Sequence, residues 1–282
     1  MAEGRLTVAE AIRTAAQDLA ATSDTARLDA EVLMAHALGV SRSDLLLRWM
    51  REPAPDAFAA LVARRATHEP VAYITGRAEF YGLDLAVSPA VLIPRGDSET
   101  LIDAARTVLA DRAPTTILDL GTGSGALLLA ALSVWPAAQG LGIDRSAAAL
   151  EVATGNAMRH APGADMRRGD WTQPGWADGL GRFDLVLANP PYVEDAAALA
   201  PSVRAFEPAG ALFAGPDGLD DYRILVPLLP RLLTPGGIAV VEIGHTQAGS
   251  VVALGTSAGL SAQVFRDLGG RDRAIVFSGI KV

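Results

Sequence analysis

From Thr115 onward, short apolar runs of strand length alternate with stretches of helical spacing, and this alternation constrains the fold more than any other feature of the chain. The runs are residues 117–120, 140–143, 164–167, 183–188 and 238–243, with helical segments between them that include residues 221–233. A βα series of this kind predicts α/β architecture: a doubly wound sheet with helices on both faces. The run Phe183-Asp184-Leu185-Val186-Leu187-Ala188 has the near-continuous apolar character of a buried parallel strand. In an open sheet of this type, ligands sit beyond the carboxyl ends of the strands. The tail, residues 263–265 and 274–280, reads as a closing hairpin.

The residues after the 183–188 run are Asn189-Pro190-Pro191-Tyr192. Pro190 and Pro191 lack a backbone N–H and have fixed φ, so the chain must leave the strand extended with carbonyls free to accept. Asn189 adds a side-chain acceptor and donor, and Tyr192 an aromatic face. Together they form a rigid bracket for a planar group that carries an NH2. A Pro-Pro pair alone is ordinary strand-end punctuation. Its place after a buried strand, downstream of a glycine loop, points to chemistry.

That loop is Asp119-Leu120-Gly121-Thr122-Gly123-Ser124-Gly125-Ala126, after the first strand and at the opening of a helix. Its glycines predict close approach of backbone N–H groups to a ligand. Asp144 ends the next strand, where an acid accepts from ribose hydroxyls. The loop also fits a dinucleotide pattern, so a nicotinamide enzyme is a rival reading. Asp119 decides against it: a carboxylate there repels a pyrophosphate and suits an ammonium or sulfonium. S-adenosylmethionine carries both cations. Asp170 and Trp171 end the third strand, placed for the amine and the ring of an adenine. Core packing is an equal reading of Trp171 alone.

Upstream, Thr7 with Glu10 makes a capping box, and Val8, Ile12, Ala15, Ala16 and Leu19 recur at helical spacing. A second helix is expected over 26–38, with Leu28, Val32, Leu33 and Ala35 inward and Gly39 as its stop. A third runs through Leu45 to Trp49 and a fourth from Pro55 to Thr67. Residues 1–70 therefore read as a small helical domain. Residues 71–93 turn β-type, with Tyr73, Ile74, Phe80, Tyr81, Leu83, Leu85 and Val87 interrupted by Gly76 and Gly82. They read as a linking hairpin before a domain spanning 94–282. His36 and His68 have no second ligand at metal spacing, and no metal site is expected.

The net charge of −8 makes nucleic acid a poor default partner. With no cysteine, thiolate nucleophiles and cysteine-based zinc sites are excluded. Lys281 is the only lysine, so nearly all basic charge is arginine. The first ten residues carry no apolar core of a leader, and the most apolar stretch, 126–138, is too short to span a bilayer and is broken by Pro136. A soluble cytoplasmic protein is expected.

In their order, the loop, the acid, Asp-Trp and Asn-Pro-Pro-Tyr resemble a class I methyltransferase. More closely, the chain resembles the bacterial peptide-chain release factor glutamine methyltransferases over nearly its whole length. The resemblance rests also on Ala26-Arg27-Leu28-Asp29-Ala30-Glu31, Glu69-Pro70-Val71-Ala72-Tyr73-Ile74-Thr75-Gly76, Glu79-Phe80, Ser88-Pro89 with Leu92-Ile93-Pro94-Arg95, Phe206-Glu207-Pro208 and Asp217-Gly218-Leu219-Asp220. Gly96 stands where the family usually carries a second proline. The resemblance implies a Rossmann-like fold and methylation of the glutamine in a Gly-Gly-Gln motif, with S-adenosylhomocysteine as product. It implies residues 121–125, Asp144, Trp171 and Asn189 as cofactor contacts and residues 189–192 as the glutamine holder. Asn189, Pro190 and Tyr192 carry the catalytic role. Phe80, Arg95 and Glu99 are expected in the site wall, and the helical domain is expected to dock the protein substrate, with the enzyme a monomer. Glu207 reads as a structural loop residue, and Glu242 and His245 as groups near the level of the site. An amine methyltransferase acting on nucleic acid or another protein glutamine shares the tetrad. A non-enzymatic cofactor-binding scaffold is the remaining rival, and it has no need of an intact Asn189 tetrad.

Overall fold

The computed structural model describes residues 5–279; Met1–Gly4, Ile280 and Lys281, on which the leader, tail and lysine readings partly rest, lie outside them. The chain divides into two compact units. One comprises the residues up to Arg77 with Leu199–Phe206, and the other Ala78–Ala198 with the residues from Glu207 on.

The first unit contains α1 (Val8–Asp18), α2 (Ala26–Leu38), α3 (Arg42–Asp44) running into a π turn at Leu45–Trp49, α4 (Ala57–Ala66) and α5 (Val71–Thr75). The capping box opens α1: the Thr7 hydroxyl accepts from the Glu10 N–H and the Glu10 carboxylate accepts from the Thr7 N–H. Gly39 ends α2 in the left-handed region, at φ 67°. The buried face of α2 differs from the expected one. Leu28 is exposed, whereas Asp29 and Glu31 are buried beside Leu33, Met34 and Ala35. Buried carboxylates are tolerated when paired. Asp29 accepts from Arg65 and from the Ser23 and Thr25 hydroxyls, and Glu31 from Arg27 and Arg42. A hydrophobic-periodicity reading assigns acids outward and misses this. Val71–Thr75 is a helical turn closed by Gly76 at φ 71°, so the strand character expected from residue 71 begins only at Arg77.

A hairpin follows, β1 (Arg77–Phe80), which begins at the last residue of the first unit's opening segment, and β2 (Leu83–Ala86), whose turn holds Tyr81 and Gly82 at positive φ. A 3₁₀ turn over Gly96–Ser98 leads into α6 (Glu99–Val108). Then follow β3 (Thr116–Leu120), α7 (Ala126–Val134), β4 (Gln139–Asp144), α8 (Ala147–His160), β5 (Asp165–Arg168) and β6 (Phe183–Ala188). The returning helix of the first unit is α9 (Pro201–Phe206). The second unit resumes with α10 (Asp220–Leu225), α11 (Leu229–Leu232), β7 (Leu233–Glu242), α12 (Ala248–Ser257), β8 (Leu260–Arg266) and β9 (Asp272–Gly279). The single helix expected over 221–233 is divided by a 3₁₀ turn, because Pro227 and Pro230 remove donors from the helical ladder.

The strand order is β5-β4-β3-β6-β7-β9-β8. β3 through β7 pair in parallel, and β9 runs antiparallel between β7 and β8. The order reverses at β3, from which the chain first builds outward through β4 and β5 and then crosses to β6. That reversal is the switch point where open α/β sheets bind ligands. Alternate residues of β3, β6 and β7 feed two apolar layers. Ile117, Leu185, Leu187, Ile238 and Val240 pack with α6 and α7, and Leu118, Leu120, Val186, Ala188, Ala239 and Val241 pack with α10 and α11. Among the described residues no helix is long and apolar enough to cross a membrane.

At the opposite end of the sheet, Asp184 fastens β6 to both neighbours. It accepts from the Thr115 N–H and hydroxyl and from the Thr234 hydroxyl. Burial alone would raise its carboxyl, but these bonds and Arg112 outweigh it and hold the pKa at about 2. A depressed folded-state pKa means stability present above the unfolded value and lost as pH falls through the folded one. Asp184→Asn is therefore expected to cost about 1–2 kcal/mol near neutral pH. The difference should close between about pH 4 and pH 2. Urea titrations at several pH values check this, and a pH-independent difference would remove the ionised carboxylate as the cause.

Candidate active site

The register of the sheet brings the two motifs together. Leu120 pairs with Ala188, so Gly121 and Asn189 emerge from neighbouring strands at the same level. Ile143 pairs with Leu120, which puts Asp144 at that level on the other side. A cleft of about 1020 Å³, including its open mouth, lies over these strand ends. Of the residues expected in the site, Phe80, Arg95, Asp119, Gly121, Thr122, Gly123, Ser124, Asp144, Trp171, Asn189 and Pro191 line it. Gly125, Asp170, Pro190 and Tyr192 do not appear in its wall.

The glycine loop is built differently from the expectation that its N–H groups meet a ligand. The Gly121 and Thr122 N–H groups donate to the Ile143 carbonyl, and that of Gly125 to the Thr122 carbonyl. The Gly123 N–H donates to Asp144 Oδ2 at 2.9 Å. These donors are spent inside the protein, which removes the phosphate cradle a dinucleotide needs. The loop contributes closeness: Gly121 sits at φ 72°, and a Cβ there would stand 3.0 Å from the Trp171 ring. Asn156, fully buried on α8, holds the loop from behind. Its Nδ2 donates to the Ser124 and Ala86 carbonyls and its Oδ1 accepts from the Ala86 N–H. Nothing in the sequence singled out this residue, because its partners are distant in the chain.

Acceptors dominate the cleft around the glycine loop. Asp119 is buried; its Oδ2 accepts from the Thr122 hydroxyl at 2.6 Å, and its Oδ1 has no hydrogen-bond partner among the described residues. Burial pushes its carboxyl up to about 7, opposed by Thr122. An orphan buried acceptor beside a cleft fits a cationic ligand and is costly without one. Asp144 is half-buried and accepts one N–H at each oxygen, from Gly123 and from Ser146 at 2.9 Å, which fixes its orientation. Trp171 is locked by a bond from Nε1 to Asp221 Oδ1 at 2.6 Å. Asp170 is instead tied into a turn, its Oδ1 accepting from the Thr172 N–H and hydroxyl. These residues fit S-adenosylmethionine: an acid for its cations, an acid for ribose, and an indole face.

At the other end of the cleft, Asn189 is half-buried, with Nδ2 3.5 Å from the Ser98 hydroxyl. Pro190 and Pro191 are buried. The Tyr192 hydroxyl donates to Glu242 Oε1 at 3.1 Å, and burial raises its pKa. Gln247 donates to the Tyr192 and Gly218 carbonyls and fixes the chain after the bracket. Arg95 pairs closely with Glu207, a buried carboxylate that also accepts from the Ile93 N–H. Glu207 is thus the anchor of the Arg95 wall. Glu99, expected in the wall, is absent from it and accepts from the Tyr81 N–H. Arg145 lines the cleft and donates to the Gly210 carbonyl, drawing residues 208–211 into its rim. His245 is exposed.

The family description "PrmC N-terminal domain" matches residues 10–76, and "Methyltransferase domain" matches residues 111–252. A release factor glutamine methyltransferase of Geobacter sulfurreducens is 41% identical over 89% of this chain and 89% of its own. One from Rhodospirillum rubrum is 44% identical over 89% of this chain and 78% of its own. A third, from Cereibacter sphaeroides, is 42% identical over 95% and 96%.

The raised Asp119 carboxyl sets a pH dependence. Its charged form prevails only above about pH 7, so cationic cofactor is bound best there. Affinity is expected to weaken about tenfold or more as pH falls from about 7.5 to 5.5. Asp119→Asn should bind more weakly and with a flat profile over that range. Calorimetry at each pH checks this, and a flat profile in the parent protein would take Asp119 out of cofactor binding.

Proposed function

The chain belongs to the release factor glutamine methyltransferase family, and from that premise we propose that it transfers a methyl group from S-adenosylmethionine to the side-chain amide nitrogen of the glutamine in the Gly-Gly-Gln motif of peptide-chain release factors. The observation that carries the reading is the shared level of Gly121 and Asn189 on adjacent parallel strands, with both in the wall of one cleft.

A carboxamide nitrogen is a poor nucleophile because its lone pair is delocalised into the carbonyl. The Asn189 side-chain carbonyl and the Pro190 backbone carbonyl each accept one amide hydrogen, which fixes the NH2 and raises its electron density. S-adenosylmethionine, when bound, supplies a methyl group made electrophilic by its sulfonium. Positioning is the main catalytic contribution of the chain, and stabilisation of the charge developing on nitrogen the second. The methylated amide cation sheds its proton readily, so no strong base is needed. Tyr192 supports the bracket from the interior, and Phe80 and Arg95 form the substrate wall. In the bound state Asp119 would meet the cations of the cofactor, Asp144 its ribose, and Trp171 its adenine.

The protein substrate docks on residues 1–70, and the enzyme works as a monomer in the cytoplasm, where release factors act. The acidic balance of the chain supports a protein substrate over nucleic acid. A chain lacking residues 1–70 is expected to keep its cofactor affinity and lose methylation of the intact factor; full activity of the truncated chain refutes the docking role.

Incubation with methyl-labelled cofactor and a mixture of release factors, ribosomal proteins and nucleic acid is expected to label the release factors alone. Label in nucleic acid would favour the amine methyltransferase reading. Asn189→Ala should lower single-turnover methylation by about a hundredfold to a thousandfold. Its cofactor affinity should fall much less, because Asp119, Asp144 and Trp171 remain. Near-normal transfer by that variant sinks the bracket mechanism.

A further inference from the structure

Glu242 is the last residue of β7 and the mechanism above does not use it. Ala188 of β6 pairs with Val241, so Asn189 and Glu242 are the next residues at the same level on neighbouring parallel strands. Side-chain alternation turns both away from the layer that holds Ala188 and Val241. They face the side occupied by Leu187, Val240 and α6, and Ser98 stands at the start of α6.

Glu242 is 2% exposed and Ser98 4% exposed. Glu242 Oε1 accepts from the Tyr192 hydroxyl at 3.1 Å, while Oε2 is buried with no direct hydrogen-bond partner among the described residues. The Ser98 hydroxyl is 3.5 Å from the Asn189 Nδ2, and it is among the groups that hold the Glu242 carboxyl down. Burial pushes the Glu242 carboxyl up and Asp97 adds to that, while Ser98, Arg273 and Tyr192 hold it down. A buried carboxylate at the end of a sheet is expensive, and apolar side chains would fill that space at no such cost. Its presence calls for a task.

Proton inventory defines the task. A carboxylate only accepts, and a serine hydroxyl has one proton to give and lone pairs to offer. A Ser98 proton directed at Glu242 leaves the Ser98 oxygen able only to accept. It must then meet the NH2 of Asn189, and the Asn189 carbonyl oxygen is left facing the cleft. With the Ser98 proton reversed, the amide turns over and presents its NH2 to the substrate, where two donors oppose each other.

We propose that Glu242 is a positioning residue of the methyl transfer, which acts through Ser98 to fix the orientation of the Asn189 side-chain amide and through the Tyr192 hydroxyl to hold the other end of the bracket. This rests on the glutamine reading of the site and deepens it. The pathway runs through side chains and involves no covalent step at Glu242.

The test compares Glu242→Gln, Ser98→Ala and the double variant with the parent. Gln keeps the shape of Glu and brings an NH2 that donates to Ser98, reversing the Ser98 proton. Single-turnover methylation of a purified release factor by Glu242→Gln is expected to fall about a hundredfold, with KM for the factor and cofactor affinity held within about twofold. Removing Ser98 from that background deletes the reversed proton, so the double variant should recover about tenfold over Glu242→Gln. A merely structural loss would make the second substitution neutral or worse. The Asn189 side-chain amide signals in nitrogen-15 spectra of the cofactor-free protein, assigned by their absence in Asn189→Ala, should move in Glu242→Gln. Turnover of Glu242→Gln within about twofold of the parent overturns the proposal. So does lost turnover with unmoved Asn189 signals, or a double variant no better than Glu242→Gln. If the parent itself does not methylate release factors, the function reading fails. The Asn189 signals, read without substrate, then decide the role of Glu242 alone.

Discussion

The parallel pairing of Leu120 with Ala188 is the constraint on which the site depends. Adjacent strands lie about 4.8 Å apart. The chain that leaves β3 as the glycine loop and the chain that leaves β6 as Asn-Pro-Pro-Tyr therefore start side by side. A register slip of one residue would send each side chain to the other face. The apolar alternation of β3, β6 and β7 between two buried layers forbids such a slip. Asp184 adds a polar fastening at the far end of β6, where Thr115 and Thr234 bind it from both neighbours. Packing that belongs to the core thus sets how far apart the two motifs stand.

Electrostatics then separates this cleft from other sites on similar sheets. A dinucleotide site offers free N–H donors to phosphates. Here the N–H groups of Gly121, Thr122, Gly123 and Gly125 are consumed within the protein, and the carboxylates of Asp119 and Asp144 flank them. The loop is a surface of acceptors with glycine clearance. Such a surface disfavours a pyrophosphate and suits a cation and a ribose. In the proposed mechanism the same logic governs the other half of the cleft, where the bracket would present carbonyl oxygens to a group whose hydrogens need partners.

The strands, most helices and the residues at strand ends were legible in the sequence, because periodicity and glycine placement are local signals. The exceptions share a cause. Asp29 and Glu31 lie inward on α2 because Arg27, one turn away on the same helix, and Arg42 and Arg65, outside it, neutralise them, and periodicity counts every acid as outward. Residues 71–75 have strand-forming side chains but coil into a turn that Gly76 stops. The loop was read as a donor cradle, since its sequence does not reveal that Ile143 and Asp144 take the donors. Asn156, Gln247 and Glu207 hold segments around the cleft through partners far away in the chain, which no spacing rule detects. The place of Asp170 at the end of the third strand suggests an adenine contact, but its turn with Thr172 uses one of its oxygens and it is absent from the cleft wall.

The orientation of the Asn189 amide relative to the glutamine is the centre of the mechanism. A crystal structure of the protein with S-adenosylhomocysteine and a release factor fragment containing Gly-Gly-Gln measures it directly. The glutamine amide nitrogen is expected within hydrogen-bond distance of both the Asn189 Oδ1 and the Pro190 carbonyl oxygen. A glutamine nitrogen that meets neither oxygen, or an Asn189 that turns its own NH2 toward the substrate, would contradict the bracket.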